Sequence, residues 1–313
     1  MSGRVLRDLY LLAGPTATGK SEVAHHLARG EDWAVLSADA MLVYEGMDIG
    51  TAKPTAAERA GLTYGGIDWA TPDQPFSVGQ YLEKAHEFLR GLPPDQPVVV
   101  TGGTGLYIKA LLIGIDPMPS TSAPLRAEVK EIYAATGLTG LQEACKQADP
   151  DRYADLKDPY NPRRLMRAVE LARMGVPRAD VWKKEIPGKC VGLTMERALL
   201  NQRIADRVDT MYENGLMNEV RALQARYPRA SDTARMAIGY QEAQRVVTGE
   251  CTVEQAKAET IRRTRRYARR QETWFRHQLP LTSVEVTEKS RTNKTAERVR
   301  ALWSHYGPCR ISC

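Results

Sequence analysis

No apolar run in this 313-residue chain approaches the about twenty residues that a helix needs to span a bilayer, and the opening MSGRVLRDLY is not a charged-then-apolar leader. The chain is therefore expected to stay in the cytoplasm, where it is made. Its five cysteines, Cys145, Cys190, Cys251, Cys309 and Cys313, are odd in number and scattered, with no C-x-x-C pair. That excludes a zinc ribbon and a disulfide framework and fits a reducing compartment. Only Cys309 and Cys313 stand near each other, either as a metal or cross-linking pair or as an accident of the tail. No repeat period and no low-complexity tract is present, which excludes a solenoid.

Charge of one sign is also missing outside one segment. Lys and Arg number 44 against 38 Asp and Glu, a net +6, while residues 260–278, TIRRTRRYARRQETWFRHQ, alone hold seven Arg against one Glu. The rest of the chain is neutral on balance. Within the segment Ile261, Thr264, Ala268, Gln271 and Phe275 recur at steps of three and four, which predicts a helix with that face inward. Arg262, Arg265, Arg266, Arg269 and Arg276 then fall mainly on the other side, with Tyr267 and Trp274 interleaved. A dense arginine face repels itself unless a polyanion lies against it, and nucleic acid is the natural polyanion. The alternative is a solvated basic face, which normally carries more Lys and interspersed Glu.

What the chain does have, near its start, is GPTATGKS between the apolar LYLLA and the helically spaced EVAHHLA. Gly14 and Gly19 let the backbone turn so that successive N–H groups face an anion. Lys20 adds a point charge, the Ser21 hydroxyl suits Mg²⁺, and the helix that follows adds its positive end. This is the spelling of an ATP-binding phosphate loop, but spelling alone names only the phosphate.

Residues 8–13, 34–38, 97–103 and 189–195 read as strands separated by helical segments, so the fold class is α/β, a P-loop-like parallel sheet flanked by helices. Ligands bind such sheets at the carboxyl edge, where Gly14, Asp39 and Gly102 emerge. Residues 119–187 read as a helical insertion, leaving 1–118 and 188–313 as the core, whose last part is expected to be helical throughout.

Three more stretches invite a role. Asp39 ends the second strand and can bind Mg²⁺, accept a proton, or cap the following turn. Gly102, Gly103 and Gly105 around Thr104 either admit a ligand close to the backbone or make a tight turn. Arg163, Arg164 and Arg167 lie on one helix and either bind phosphate or decorate a surface.

In order and spacing, GPTATGKS, SADAMLVYEGMDIGTAKP, TGGTGLYIKALL, NPRRLMRAVEL, ARMAIGYQEA and YARRQETWFR closely resemble the bacterial tRNA dimethylallyltransferases, also called tRNA isopentenyltransferases. MDIGTAKP and the R-Q-x-T-W-F-R ending are more specific than the phosphate loop, and the resemblance runs from about Leu9 to Arg276. It implies a prenyltransferase that moves a dimethylallyl group from dimethylallyl diphosphate, with Mg²⁺, to N6 of the adenosine 3′ of the anticodon, position 37, in tRNAs reading codons that begin with U; nothing in the sequence demands more than a monomer. The phosphate loop would then hold the donor's diphosphate rather than ATP.

By the same resemblance Gly14, Pro15, Thr16, Ala17, Thr18, Gly19, Lys20 and Ser21 cradle the diphosphate, helped by Arg203 or Arg207. Asp39 is the general base and Thr104 fixes the approach of the two partners. The tRNA-contacting stretches are Asp39, Ala40, Met41 and Leu42, then Arg126, then Arg163, Arg164, Leu165, Met166 and Arg167. They continue with Met236, Ala237, Ile238, Gly239, Tyr240 and Gln241, and end with Arg269, Arg270, Gln271, Glu272, Thr273, Trp274, Phe275 and Arg276. The insertion would grip the anticodon stem-loop. The chain departs from the family pattern at Ala40, where many members have Ser, and at Gly65 and Gly66, in place of a usual His-His. Two rivals remain open at this point: a P-loop kinase of a small metabolite, and a non-catalytic RNA-binding protein.

Overall fold

The computed structural model describes residues 6–116, 119–178 and 184–313. The expected boundary at residue 118, and part of the expected insertion, residues 179–183, lie outside the described residues. The chain divides into two compact units, Met1–Gly114 with Glu185–Cys313, and Ile115–Lys184.

The larger unit opens with β1 (Leu6–Ala13), α1 (Lys20–Glu31), β2 (Ala34–Ser37), α2 (Ala56–Arg59), β3 (Tyr64–Gly65), α3 (Val78–Gly91), β4 (Val98–Gly102) and α4 (Gly105–Ile113). The smaller unit holds α5 (Ala123–Ala148), α6 (Pro150–Ala154) and α7 (Pro162–Arg173). The larger unit resumes with β5 (Cys190–Met195), α8 (Arg197–Glu213), α9 (Leu216–Arg226), α10 (Asp232–Arg235), α11 (Tyr240–Val247) and α12 (Val253–Gln278), and closes with β6 (Leu281–Val286), α13 (Thr292–Tyr306) and β7 (Cys309–Ser312).

Six strands form a parallel sheet in the order β3-β2-β4-β1-β5-β6. β2 and β4 are buried along their whole length, which is why VVVTG and AVLS do not alternate. The connection after β1 leads to β2 on one side, and the connection after β4 leads to β5 on the other. A crevice therefore opens over the carboxyl ends of β1 and β4, where this class of sheet binds ligands. Gly102 is required there, because a Cβ would stand 2.1 Å from the Ala38 carbonyl oxygen.

One face of the sheet packs against α1, α8, α12 and α13 through Leu12, Val23, Leu27, Leu193, Leu200, Ala268 and Trp303. Trp303 donates its indole N–H to the Leu11 carbonyl at 3.3 Å, and Tyr10 stacks on Trp33 at 4.4 Å. The smaller unit has its own core of Val129, Leu141, Cys145, Leu165, Ala168 and Val169, and its first helix breaks at Gly137, where φ is 64°.

The closing segment is not helical throughout. β6 extends the parallel sheet beside β5, and β7 runs antiparallel to the first half of β1, pairing Cys309 with Leu9. β7 spans only four residues, too few to show a period, and β6 buries only Val284 and Val286 of its six. All five cysteines are free thiols, so the tail pair is not cross-linked; Cys309 is buried in an ordered β7, which agrees with an accident of an ordered tail.

Candidate active site

The phosphate loop sits between β1 and α1. Gly19 adopts φ 85° and Ala17 φ 66°, left-handed conformations that turn the loop back on itself. The Thr18 hydroxyl donates to the Pro15 carbonyl at 2.9 Å and the Lys20 ammonium donates to the same oxygen at 3.2 Å, which fixes the turn. No side chain caps α1, so its first amides face the loop's concavity and leave a place for an anion. Burial lowers the Lys20 pKa to about 8; the Asp39 charge opposes that shift and the Arg207 charge adds to it.

Arg207, and not Arg203, reaches the loop. Its guanidinium donates to the Thr16 hydroxyl at 3.1 Å and to the Thr51 carbonyl at 2.9 Å. The two arginines stand four apart on α8, one turn from each other, so only the position of their partners separates them. Burial lowers the Arg207 pKa, with Asp39 acting against it. Two half-buried cations thus converge on a loop already built for an anion.

Asp39 follows β2 and faces the same crevice. Its Oδ1 accepts the Met41 N–H at 2.9 Å, so one oxygen closes the turn while the other remains for chemistry. The capping and the functional readings of Asp39 are therefore compatible. Thr104 caps no helix with its side chain; its hydroxyl instead accepts the Ala40 N–H at 2.9 Å, and its own N–H donates to the Ala38 carbonyl at 3.0 Å. Residues 38–40 and 104 are consequently one rigid unit.

Gln271 joins this unit to the phosphate loop. Its Oε1 accepts the Thr16 N–H at 3.0 Å and its Nε2 donates to the Gly103 carbonyl at 2.9 Å. A Cβ on Gly103 would lie 2.2 Å from that Nε2, and one on Gly105 would lie 2.1 Å from the Trp274 ring, which explains the glycines of TGGTG. Tyr267, which the sequence pattern left among the interleaved aromatics, lies beside Thr104 and Gln271; burial raises its pKa, and these two neighbours act against that shift. The Arg270 guanidinium lies 5.7 Å from the centre of its ring. Standing four residues before Gln271 on the helix was the available sign.

This arrangement of phosphate loop, carboxylate and arginine helix can be set beside known proteins. The IPP transferase family matches residues 42–278, and the isopentenyl transferase family matches residues 7–67. The tRNA dimethylallyltransferase 1 of Pelobacter propionicus is 36% identical over 301 residues, covering 93% of this chain and 97% of that one. The tRNA dimethylallyltransferase of Streptomyces griseus is 39% identical over 274 residues, covering 85% and 86%. The structure of the full-length tRNA isopentenylpyrophosphate transferase of Bacillus halodurans is similar at a TM-score of 0.69 and 34% identity, covering 95% of this chain and 96% of that one. The chain belongs to the IPP transferase family.

Within this IPP transferase the residues expected to touch RNA divide sharply by exposure. Arg126, Arg163, Arg164, Met236, Arg269, Arg270, Thr273 and Arg276 are exposed. Leu165, Phe275, Gln271, Ala237, Tyr240 and Leu42 are not: they are 0%, 2%, 5%, 5%, 6% and 8% exposed. Leu165 is core of the helical unit and Phe275 is on the buried face of α12, so these side chains do not face solvent. Gly239 is buried, while Asp39, Ala40, Met41, Met166, Ile238, Glu272 and Trp274 are half-buried. Arg167 is engaged with Glu170, Thr121 and the Pro119 carbonyl, and Gln241 accepts from Arg263.

The arginine face is also less bare than its composition suggests. Arg262 pairs with Glu259, Arg263 pairs with the buried Glu242, and Arg265 donates to the Asn201 carbonyl. Arg266, Arg269 and Arg276 have no side-chain partner among the described residues. The departures at Gly65 and Gly66 are built in: a Cβ on Gly65 would strike the Phe88 ring at 2.8 Å, and Gly66, at φ 83°, would strike the Ser37 carbonyl at 2.2 Å.

The residues present fit Mg²⁺ as a companion of phosphate rather than as a protein-caged ion. Ser21 offers a half-buried hydroxyl at the start of α1, and no cluster of three His, Cys, Asp or Glu able to hold a metal occurs among the described residues. Mg²⁺ commonly takes one or two protein oxygens and completes its shell with phosphate and water. Among the described residues no helix is long and apolar enough to cross a membrane.

Proposed function

We propose that the protein is a tRNA dimethylallyltransferase that moves a dimethylallyl group from dimethylallyl diphosphate to N6 of adenosine 37, 3′ of the anticodon, in tRNAs reading codons that begin with U. The observation that carries this reading is the tie made by Gln271, which holds a phosphate loop and the Asp39–Thr104 unit against each other. A small-metabolite kinase would use both as well, but it would leave the exposed arginines of α12 without a partner.

The phosphate loop, Lys20 and Arg207 hold the diphosphate and take up the negative charge that builds on it as the allylic C–O bond breaks. Ser21 is the residue that would hold Mg²⁺, which supplies further positive charge to the leaving diphosphate. The adenine leaves the stack of the anticodon loop, and its amine attacks the allylic carbon. Asp39 takes the proton that N6 releases, and Thr104 keeps the carboxylate's turn in place. Diphosphate leaves, and N6 carries the prenyl group.

Arg266, Arg269 and Arg276 of α12 meet RNA phosphates, and Arg126, Arg163 and Arg164 of the helical unit meet the anticodon stem-loop. The protein acts as a monomer in the cytoplasm. The test is incubation with labelled dimethylallyl diphosphate, Mg²⁺ and unmodified tRNA, with ATP and no prenyl donor as the parallel arm. Label in the RNA supports the reading; phosphoryl transfer from ATP without prenyl transfer would replace it with the kinase.

A further inference from the structure

The loop Asp48–Thr51 hangs on one carboxylate far away in sequence. Glu219, in the first turn of α9, accepts the Asp48 N–H at 3.2 Å and the Ile49 N–H at 2.8 Å on Oε2, and the Gly50 N–H at 3.4 Å on Oε1. The Tyr240 hydroxyl donates to the same Oε1 at 2.5 Å, and the Gly50 N–H also points at that hydroxyl at 3.2 Å. Gly50 admits no side chain, since a Cβ would stand 2.4 Å from the Tyr240 ring. Asp48, the first residue of the loop, is held a second time by Lys53, which bridges Asp48 and Asp68 at 2.6 Å each.

An acidic residue in the first turn of a helix needs no partner beyond that helix's own positive end. Glu219 goes further: it leaves its helix and collects three successive amides of another segment. Those amides hold the short segment that ends, one residue further on, in a carbonyl. That carbonyl belongs to Thr51, and it accepts from Arg207 at 2.9 Å, the arginine whose other nitrogen reaches Thr16 in the phosphate loop at 3.1 Å. Glu219 is thus joined to the anion cradle through residues 48–51 and Arg207, without touching it.

We propose that Glu219 is a positioning residue for the diphosphate: it holds residues 48–51 so that the Thr51 carbonyl aims Arg207 at the phosphate loop. Without that carbonyl the guanidinium has only the Thr16 hydroxyl to orient it, and Lys20 nearby repels it. The inference rests on the reading of the loop as a diphosphate site but not on the identity of the acceptor.

The experiment is calorimetric titration of the full chain with inorganic diphosphate and Mg²⁺, for wild type, Glu219→Ala, Glu219→Gln, Tyr240→Phe, Arg207→Ala and the Glu219→Ala/Arg207→Ala double variant, with a thermal melt of each. Glu219→Ala should weaken diphosphate binding about tenfold, the loss of one well-aimed charged hydrogen bond, and raise KM for the prenyl donor while tRNA affinity is unchanged. In the Arg207→Ala background the same substitution should cost no further affinity, because the two act as one unit. Glu219→Gln, which keeps one accepting oxygen, and Tyr240→Phe should fall between wild type and Glu219→Ala, and they carry the test if the alanine variant does not fold.

Unchanged diphosphate affinity in folded variants, or equal losses with and without Arg207, would overturn the proposal and leave Glu219 as a structural tie only. A wild type that binds diphosphate but transfers no prenyl group would end the functional reading while this inference is still decided by the titrations. A wild type that binds no diphosphate would end both.

Discussion

Gln271 accepts the amide hydrogen of Thr16 at 3.0 Å, across 255 residues of chain, and so fixes the phosphate loop from the inner face of an arginine-rich helix. Its other end holds the Gly103 carbonyl. Replacing it with Ala leaves both groups unpaired in a buried place, at a cost of about 1–3 kcal/mol each before relaxation. Gln271→Ala is expected to lower the urea midpoint and kcat together while leaving tRNA affinity within about twofold of wild type, since the side chain does not face solvent. A large loss of tRNA affinity at unchanged stability would return Gln271 to the RNA surface.

The same helix shows what the sequence made legible. The inner face Ala268, Gln271 and Phe275 is evident from spacing alone, because helical burial follows a period. What Gln271 would bind is not, because its partners come from two strand ends brought near only by the sheet order. GPTATGKS was readable because it is a special spelling at a strand end, and parallel sheets bring Asp39 and TGGTG to the same edge; the residues alone left the roles of those two open. Arg203 and Arg207 differ in nothing local, Glu219 looks like an ordinary first-turn acid, and β7 is shorter than any period. Each of these is decided by long-range contacts.

Arg207→Ala is expected to weaken diphosphate binding roughly 10- to 100-fold, the equivalent of about 1.5–3 kcal/mol for a charged hydrogen bond. Arg203→Ala should stay near wild type. Donor KM measured for both variants separates them, and the reverse order would contradict the placement at Thr16.

The Lys20 pKa of about 8 gives a pH dependence of definite sign. The ammonium binds diphosphate and the amine does not, so kcat/KM for the prenyl donor should fall about tenfold per pH unit above roughly pH 8. Bound diphosphate favours the charged form, so kcat at saturating donor should hold to higher pH. The folded pKa lies below the unfolded value, so the unfolded chain binds more protons between about 8 and 10.5 and this lysine's penalty on stability shrinks as pH rises through that window. A pH–rate profile in kcat/KM that is flat to pH 10 would contradict the burial of Lys20 beside Arg207.

The arginines of α12 should divide into two classes. Arg269→Ala and Arg276→Ala are expected to weaken tRNA binding and reduce the slope of log K against log salt by about 0.7–0.9 each, at unchanged melting temperature. Arg263→Ala strands the buried Glu242 and should instead cost about 3–5 kcal/mol of stability. Salt titrations of tRNA affinity and denaturant unfolding on the three variants distinguish the classes.

The most direct measurement is single-turnover transfer from labelled dimethylallyl diphosphate to unmodified tRNA by wild type and Asp39→Asn, with donor and tRNA affinities measured in parallel. Asn keeps the acceptor for the Met41 N–H but cannot take the N6 proton. The expected result is label in the RNA with wild type, a rate roughly 100- to 10,000-fold lower with Asp39→Asn, and both affinities nearly unchanged. Equal rates for the two proteins would contradict Asp39 as the base, and no label in the RNA with wild type would contradict prenyl transfer itself.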